Sequence, residues 1–166
     1  MANPALQGQR PRLNPLSMGI TLRAATLADL PLLASLVQAN YQSAGFPYEE
    51  GPARQALQQL VTTARLGRVW WVDYEGAPIG YVVLTFSFSV EFHGPLAVLD
   101  EVYLVPEHQG KGHFKHLLAL VEAHCWRWGV RTLRLEVKTD NARAQRAYQK
   151  AGFAVDDRRL MTKRLG

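Results

Sequence analysis

The period of the apolar positions changes several times along this chain, and each change marks an element. Ile20-Thr21-Leu22-Arg23 alternates as a first strand. Thr26-x-x-Asp29 offers an N-cap with an acidic partner three residues on, and Leu30, Leu33, Leu36 and Val37 follow at helical spacing. Gly45-Phe46-Pro47 breaks that helix. A second helix is expected over Pro52–Leu66, opened by proline and closed by Gly67. Val69–Tyr74 is β-branched and aromatic, Glu75-Gly76-Ala77-Pro78 reads as a turn, and Ile79–Phe88 and Leu96–Val105 read as long strands. A helix is expected over 113–128, with Leu117, Leu120, Val121, His124 and Trp128 on one stripe and Gly129 at its end. Arg131–Lys138 alternates, with Leu133, Leu135 and Val137 on one face. A helix then runs from Asn141 to near Gly152, and Phe153–Leu165 reads as a hairpin-like pair. The order β-α-α-β-β-β-α-β-α-β predicts an α/β fold with a mixed sheet flanked by helices.

Composition narrows the class without naming a chemistry. The 166 residues suit one domain, expected over 18–166, behind a disordered extension over 1–17 that carries Pro4, Pro11 and Pro15; Met18 is an alternative start. No apolar run reaches the length of a membrane span, no secretory h-region opens the chain, and one cysteine, Cys125, excludes an intramolecular disulfide framework. These features point to the cytoplasm. The net charge is +5, with Arg10 and Arg12 in the extension, and the remaining cations are scattered. That argues against a nucleic-acid partner and fits attraction of an anionic small molecule.

The candidate chemistry begins where the strand ending at Val105 meets Pro106. Gly110-Lys111-Gly112 stands at the mouth of the next helix, whose first N–H groups form an anion site. A P-loop is excluded, because no Ser or Thr follows Gly110-Lys111. A dinucleotide fingerprint is excluded as well, because Lys115 stands where its third glycine belongs. His108, His113 and His116 straddle a turn and a helix start without ligand spacing, so no metal is expected. Cys125, on an apolar stripe, reads as a small core residue.

Gln109-Gly110-Lys111-Gly112-His113-Phe114, followed by Leu117-Leu118, resembles the acetyl-CoA motif R/Q-x-x-G-x-G/A of the GNAT superfamily of N-acetyltransferases. Phe114 stands where Gly or Ala is usual. Asn141-x-x-Ala144-x-x-x-Tyr148-x-x-x-Gly152-Phe153 resembles that superfamily's C-terminal block, in the family's order and spacing. Ser89-Val90-Glu91-Phe92-His93-Gly94 ahead of Leu99-Asp100-Glu101 is similar to a subgroup of the same family. The resemblance implies a GNAT-type, mostly antiparallel sheet, acetyl-CoA as co-substrate and no metal. It implies a primary amine of a small molecule as acceptor: a polyamine, an amino acid or an aminoglycoside-like compound. A protein N-terminal or lysine acetyltransferase and a silent CoA-binding module are its alternatives, and a homodimer is common among relatives.

Residue by residue, the resemblance implies Glu101 as base for the acceptor ammonium and Tyr148 as acid for the departing thiolate. For the Asp100-Glu101 pair, alternation alone places the two acids on opposite faces, one in solvent and one capping a neighbour. Tyr103, Leu104 and Val105 would pair their backbone with pantetheine, and an N–H near Val102–Leu104 would polarise the thioester carbonyl. Gln109, Gly110, Lys111, Gly112, His113 and Phe114 would hold the pyrophosphate. Asn141 would meet pantetheine or cap its helix. Arg143 and Arg146 would reach the adenosine 3′-phosphate or form a solvated face. Glu91, His93 and Asp100, with Phe46, Tyr48 and Trp71, would make an acidic, aromatic acceptor opening suited to a cation.

Overall fold

The computed structural model describes residues 19–165. The extension expected over 1–17 and the alternative start at Met18 lie outside them. The chain packs as two compact units that divide between Glu136 and Val137.

The first unit is a five-stranded sheet in the order β1-β2-β3-β4-β5. Its strands are β1 (Ile20–Ala24), β2 (Gly67–Tyr74), β3 (Ala77–Ser89), β4 (Gly94–Leu104) and β5 (Thr132–Leu135). The first three pairings are antiparallel and β4–β5 is parallel, which gives the mixed sheet that the residue pattern predicts. Helices α1 (Leu30–Ala44), α2 (Glu50–Thr62) and α3 (His113–Arg127) cover it. Val69, Trp71, Tyr81, Val83 and Tyr103 form a core with Leu33, Val37 and Leu57 of α1 and α2. Neighbouring β2 positions serve the opposite face, where Trp70 stacks on Trp128 (5.8 Å) and lies 5.2 Å from His124 of α3. A sheet buried on both faces explains why β2 and β3 read as near-continuous apolar runs.

The expected cap stands on a short 3-10 turn, Leu27–Asp29, that leads into α1: the Thr26 N–H donates to Asp29 Oδ2 at 2.7 Å. Helix α2 ends at Thr62, four residues before the expected Leu66, and Gly67 opens β2 instead of closing the helix. Gly67 pairs with Thr85, and a Cβ there would run into the Leu84 carbonyl, so close strand approach is what requires the glycine. On α3 the buried stripe is His113, Leu117, Leu118, Val121 and Cys125. Leu120 and His124 flank it and Trp128 is 38% exposed, so the predicted stripe was rotated by part of a turn. Cys125 is the core residue expected, and burial pushes its thiol up to about 11.

The second unit contains α4 (Ala142–Lys150). The hairpin-like pair expected over Phe153–Leu165 does not form; these residues carry no strand. Asp156-Asp157-Arg158-Arg159 interrupts the two-residue alternation, and Arg158 Nε pairs locally with Asp156 Oδ1 at 3.4 Å. Among the described residues, no helix is long and apolar enough to cross a membrane.

Candidate active site

The site in the first unit starts from a break in β4. Opposite β3, Leu99 pairs with Leu84 and Glu101 with Val83, so Asp100 is one residue too many. This β-bulge reverses the alternation. Without it, Leu99 and Glu101 would share a face. With it, Leu99 joins Leu84, while Glu101 joins Tyr81 and Val83 beneath α1. Asp100 is exposed and Glu101 is half-buried.

Glu101 is held by two phenols. Tyr41 Oη donates to Oε1 at 2.9 Å and Tyr81 Oη donates to Oε2 at 2.6 Å. Asn40 Nδ2 donates to Tyr81 Oη at 2.9 Å. Tyr81 is fully buried, and burial, then the Glu101 charge, raises its phenol far above the usual range. The same causes push Tyr41 up to about 12. Both phenols therefore keep their protons near neutrality and act as fixed donors. Each carboxylate oxygen retains a second lone pair, which is what a base or an ammonium receptor needs. Phe46 and Tyr48 each meet the Tyr41 ring edge-on at 6.0 Å, forming an aromatic wall. Trp71 does not belong to that wall: it is 1% exposed and packed in the core.

Beyond the bulge, β4 loses its outer partner. Pairing with β5 covers Leu96 to Leu99 only. The Val105 N–H donates to Ile79 O at 2.9 Å. By the alternation of an antiparallel ladder, Tyr103 and Glu101 face β3 as well, whereas Val102 and Leu104 turn their N–H groups to the uncovered edge. The backbone role expected of Tyr103 and Val105 is thus corrected. Tyr103 faces β3, and the Val105 carbonyl accepts from the His108 N–H at 2.9 Å. The Leu104 carbonyl accepts from Gln109 Nε2 at 2.8 Å.

The glycine turn follows. Gly110 and Gly112 have φ of 74° and 84°, and Gly112 is the N-cap of α3. A Cβ at Gly112 would meet open space, so its backbone angle, not crowding, requires the glycine. Gly110, Lys111 and Gly112 are exposed at the positive end of a 15-residue helix, which fits a diphosphate. Phe114 is half-buried in the first turn. The His113 ring is buried and packs 4.7 Å from Tyr74 and 5.5 Å from His108, which leaves its backbone as the part that could meet a ligand. Among the described residues, no group of three or more His, Cys, Asp or Glu is placed to hold a metal ion.

Glu91 and His93 lie elsewhere. They belong to the β3–β4 hairpin tip, closed by the Ser89–Gly94 pair. Six steps along β3, from Ser89 to Val83, separate that pair from the Val83–Glu101 pair, roughly 20 Å of strand. The hairpin's length removes both from Glu101.

In the second unit, Asn141 Oδ1 accepts from the Ala144 N–H at 3.0 Å, the capping role weighed for it. Tyr148 is half-buried with its ring 5.8 Å from Phe153, and burial raises its phenol. Arg143 and Arg146 are on the exposed side of α4.

Asn40, Tyr41 and Tyr81 were missed from sequence. The available signals were a tyrosine among the aliphatic residues of β3 and the position of Tyr41 four residues beyond Val37 on the buried stripe of α1.

Residues 33–153 match the model of the acetyltransferase (GNAT) family. An uncharacterized N-acetyltransferase of Mycobacterium tuberculosis strain H37Rv is 34% identical over 135 residues, covering 81% of this chain and 74% of that protein. A mycothiol acetyltransferase of Mycobacteroides abscessus is 38% identical over 94 residues, covering 51% of this chain and 31% of its own length. Among solved structures, an integron cassette protein from the mobile metagenome of Cole Harbour Salt Marsh is similar with a TM-score of 0.77. It is 32% identical, and the match covers 91% of this chain and 93% of that one.

Proposed function

The chain belongs to the acetyltransferase (GNAT) family, and we propose that it moves an acetyl group from acetyl-CoA to the primary amine of a small, cationic acceptor. Acetyl-CoA supplies an electrophilic thioester carbonyl and a thiolate leaving group. The observation that carries the reading is the Glu101 carboxylate, fixed by Tyr41 and Tyr81 where β4 loses its outer partner.

Glu101 takes the proton that the acceptor ammonium must lose before its nitrogen lone pair can attack, directly or through one water. The N–H groups of Val102 and Leu104 point away from β3 and suit the oxygen that gains charge as the carbonyl carbon becomes tetrahedral. The Gly110–Gly112 turn and the first turn of α3 receive the diphosphate. In the second unit, Tyr148, whose phenol is raised by burial, is the acid that the family resemblance implies for the departing thiolate. The NH2 group of Asn141, whose oxygen caps α4, is suited to a pantetheine carbonyl. The aromatic wall of Tyr41, Phe46 and Tyr48 beside two acids favours a cation over a neutral amine. The mycothiol acetyltransferase relative supports a small-molecule acceptor.

The test is a thermal shift with acetyl-CoA, with a nucleotide as the comparison, followed by thiol release against a panel of amines. A ligand at 100 times its Kd stabilises by about 2.7 kcal/mol, which a melting curve resolves. The expected result is a shift with acetyl-CoA alone and release with one class of primary amine. A shift without release from any amine would favour a silent CoA-binding module, and no shift would overturn the reading.

A further inference from the structure

Two neighbouring residues in the last turns of α1 control both oxygens of Glu101. Tyr41 does so directly. Asn40 does so through Tyr81, 41 positions away in sequence. The Tyr81 side chain is 0% exposed, so water does not compete for its hydroxyl. That hydroxyl has one proton, given to Glu101 Oε2, and it accepts from Asn40 Nδ2. A donor placed on the oxygen blocks the rotor positions in which the proton would turn toward Asn40, leaving Glu101 as its target. Asparagine is a poor residue for a helix interior, so its local cost at position 40 is offset by this long-range bond.

We propose that Asn40 is a positioning residue for Glu101, acting through the Tyr81 hydroxyl to hold one carboxylate oxygen in place for the acceptor amine. The proposal rests on the reading of Glu101 as the base. It makes the end of α1, which also carries the Tyr41 side of the aromatic wall, the element that aligns acceptor and base together. Tyr81, out of reach of solvent, is the link, and Asn40 sets the direction in which it donates.

The experiment compares Asn40→Ala, Tyr81→Phe, the double variant and Glu101→Gln, each first shown to keep the thermal shift with acetyl-CoA. Two readouts are taken: kinetics with the amine found by the panel, and the carbon NMR signal of the Glu101 carboxyl at neutral pH, which reports its hydrogen bonds and needs no turnover. Asn40→Ala is expected to lower kcat roughly tenfold, the scale of one hydrogen bond in a charged network. The KM for acetyl-CoA should stay unchanged, and the Glu101 carboxyl signal should move from its wild-type position. The double variant is expected to match Tyr81→Phe alone, because Asn40 has no route to Glu101 once the hydroxyl is gone. Multiplying effects in the double variant, or a Glu101 signal in Asn40→Ala that coincides with the wild type, would overturn the proposal. If Tyr81→Phe does not fold, the carboxyl signal in Asn40→Ala decides alone. Wild-type rates in Glu101→Gln would instead sink the reading of Glu101 as base, whether or not its carboxyl signal responds to Asn40.

Discussion

From Leu96 to Leu99, β4 is hydrogen-bonded to β3 on one edge and β5 on the other; from Asp100 to Leu104 only β3 remains. The doubly paired half is apolar and closed, with Leu96, Ala97 and Leu99 at 6%, 0% and 5% exposure. The singly paired half carries two acids and turns backbone donors to an uncovered edge. A single extra residue, Asp100, separates them. One strand therefore serves as scaffold up to Leu99 and carries the proposed chemistry from Asp100 onward. The bulge does both jobs of a boundary: it ends the ladder with β5 and moves Glu101 to the face where α1 can reach it.

The strongest way to break this comparison is to injure each half separately. Glu101→Gln keeps the shape and removes the proton acceptor, so kcat/KM is expected to fall by about 10²–10³, within the usual range for a lost general base. Its melting temperature should barely move. Leu99→Ala is expected to do the reverse. It opens a cavity beside Leu84, on the sheet face opposite Glu101, and costs roughly 2–4 kcal/mol of stability, while kcat/KM at low temperature stays within a few-fold of wild type. Denaturant melts beside steady-state rates on the two variants check both. Equal loss of activity in the two would mean that the halves are not separate in function.

Much of this division was legible in the residue order, and the illegible part has a physical reason. The strands, α1, α3 and the glycine turn follow from periodicity and breakers, because burial on one or both faces leaves a repeating mark. The bulge leaves none. Asp100 and Glu101 look like two successive polar residues in a strand, and only the register against Leu84 and Val83 reveals that one is surplus. The Asn40–Tyr81–Glu101 chain joins three elements, so no local window contains it. Glu91 and His93 show the opposite error. They lie eight to ten residues before Glu101 in sequence, but an extended strand converts that interval into distance, whereas Tyr41, 60 residues away, is in contact. The absent hairpin over Phe153–Leu165 shows that alternation broken by four charges does not specify a strand.

A smaller effect sharpens the comparison at the next boundary, where the open half runs into the glycine turn. Gly112 and Gly129 stand at opposite ends of α3, with φ of 84° and 77° and open space around a Cβ at each. Alanine imposes similar backbone strain at both, on the order of 1–2 kcal/mol. Only Gly112 adjoins the turn proposed to receive the diphosphate. Gly112→Ala is expected to raise the Kd for acetyl-CoA about fivefold by calorimetry, with Gly129→Ala leaving that Kd unchanged and lowering stability alone. Equal affinities in the two variants would remove the turn from the binding site.

The least of the effects, and the most specific to the open half, is a pH dependence carried by Tyr41. Its phenol, ordinarily near 10.0, is pushed up to about 12 first by burial and then by the charge of Glu101. The native state thus holds the phenolic proton more tightly than the unfolded chain does. This contribution to stability is fully present below pH 10 and is lost as pH rises toward about 12, because the unfolded chain ionises first. Phenylalanine at position 41 has no proton to lose. The difference in denaturant midpoint between wild type and Tyr41→Phe should therefore be constant to about pH 9.5 and narrow above it. A gap that stays constant through pH 11 would mean that in solution the Tyr41 hydroxyl does not stand against Glu101. The open half of β4 would then lack one of the two phenols that distinguish its carboxylate from any other acid on a strand edge.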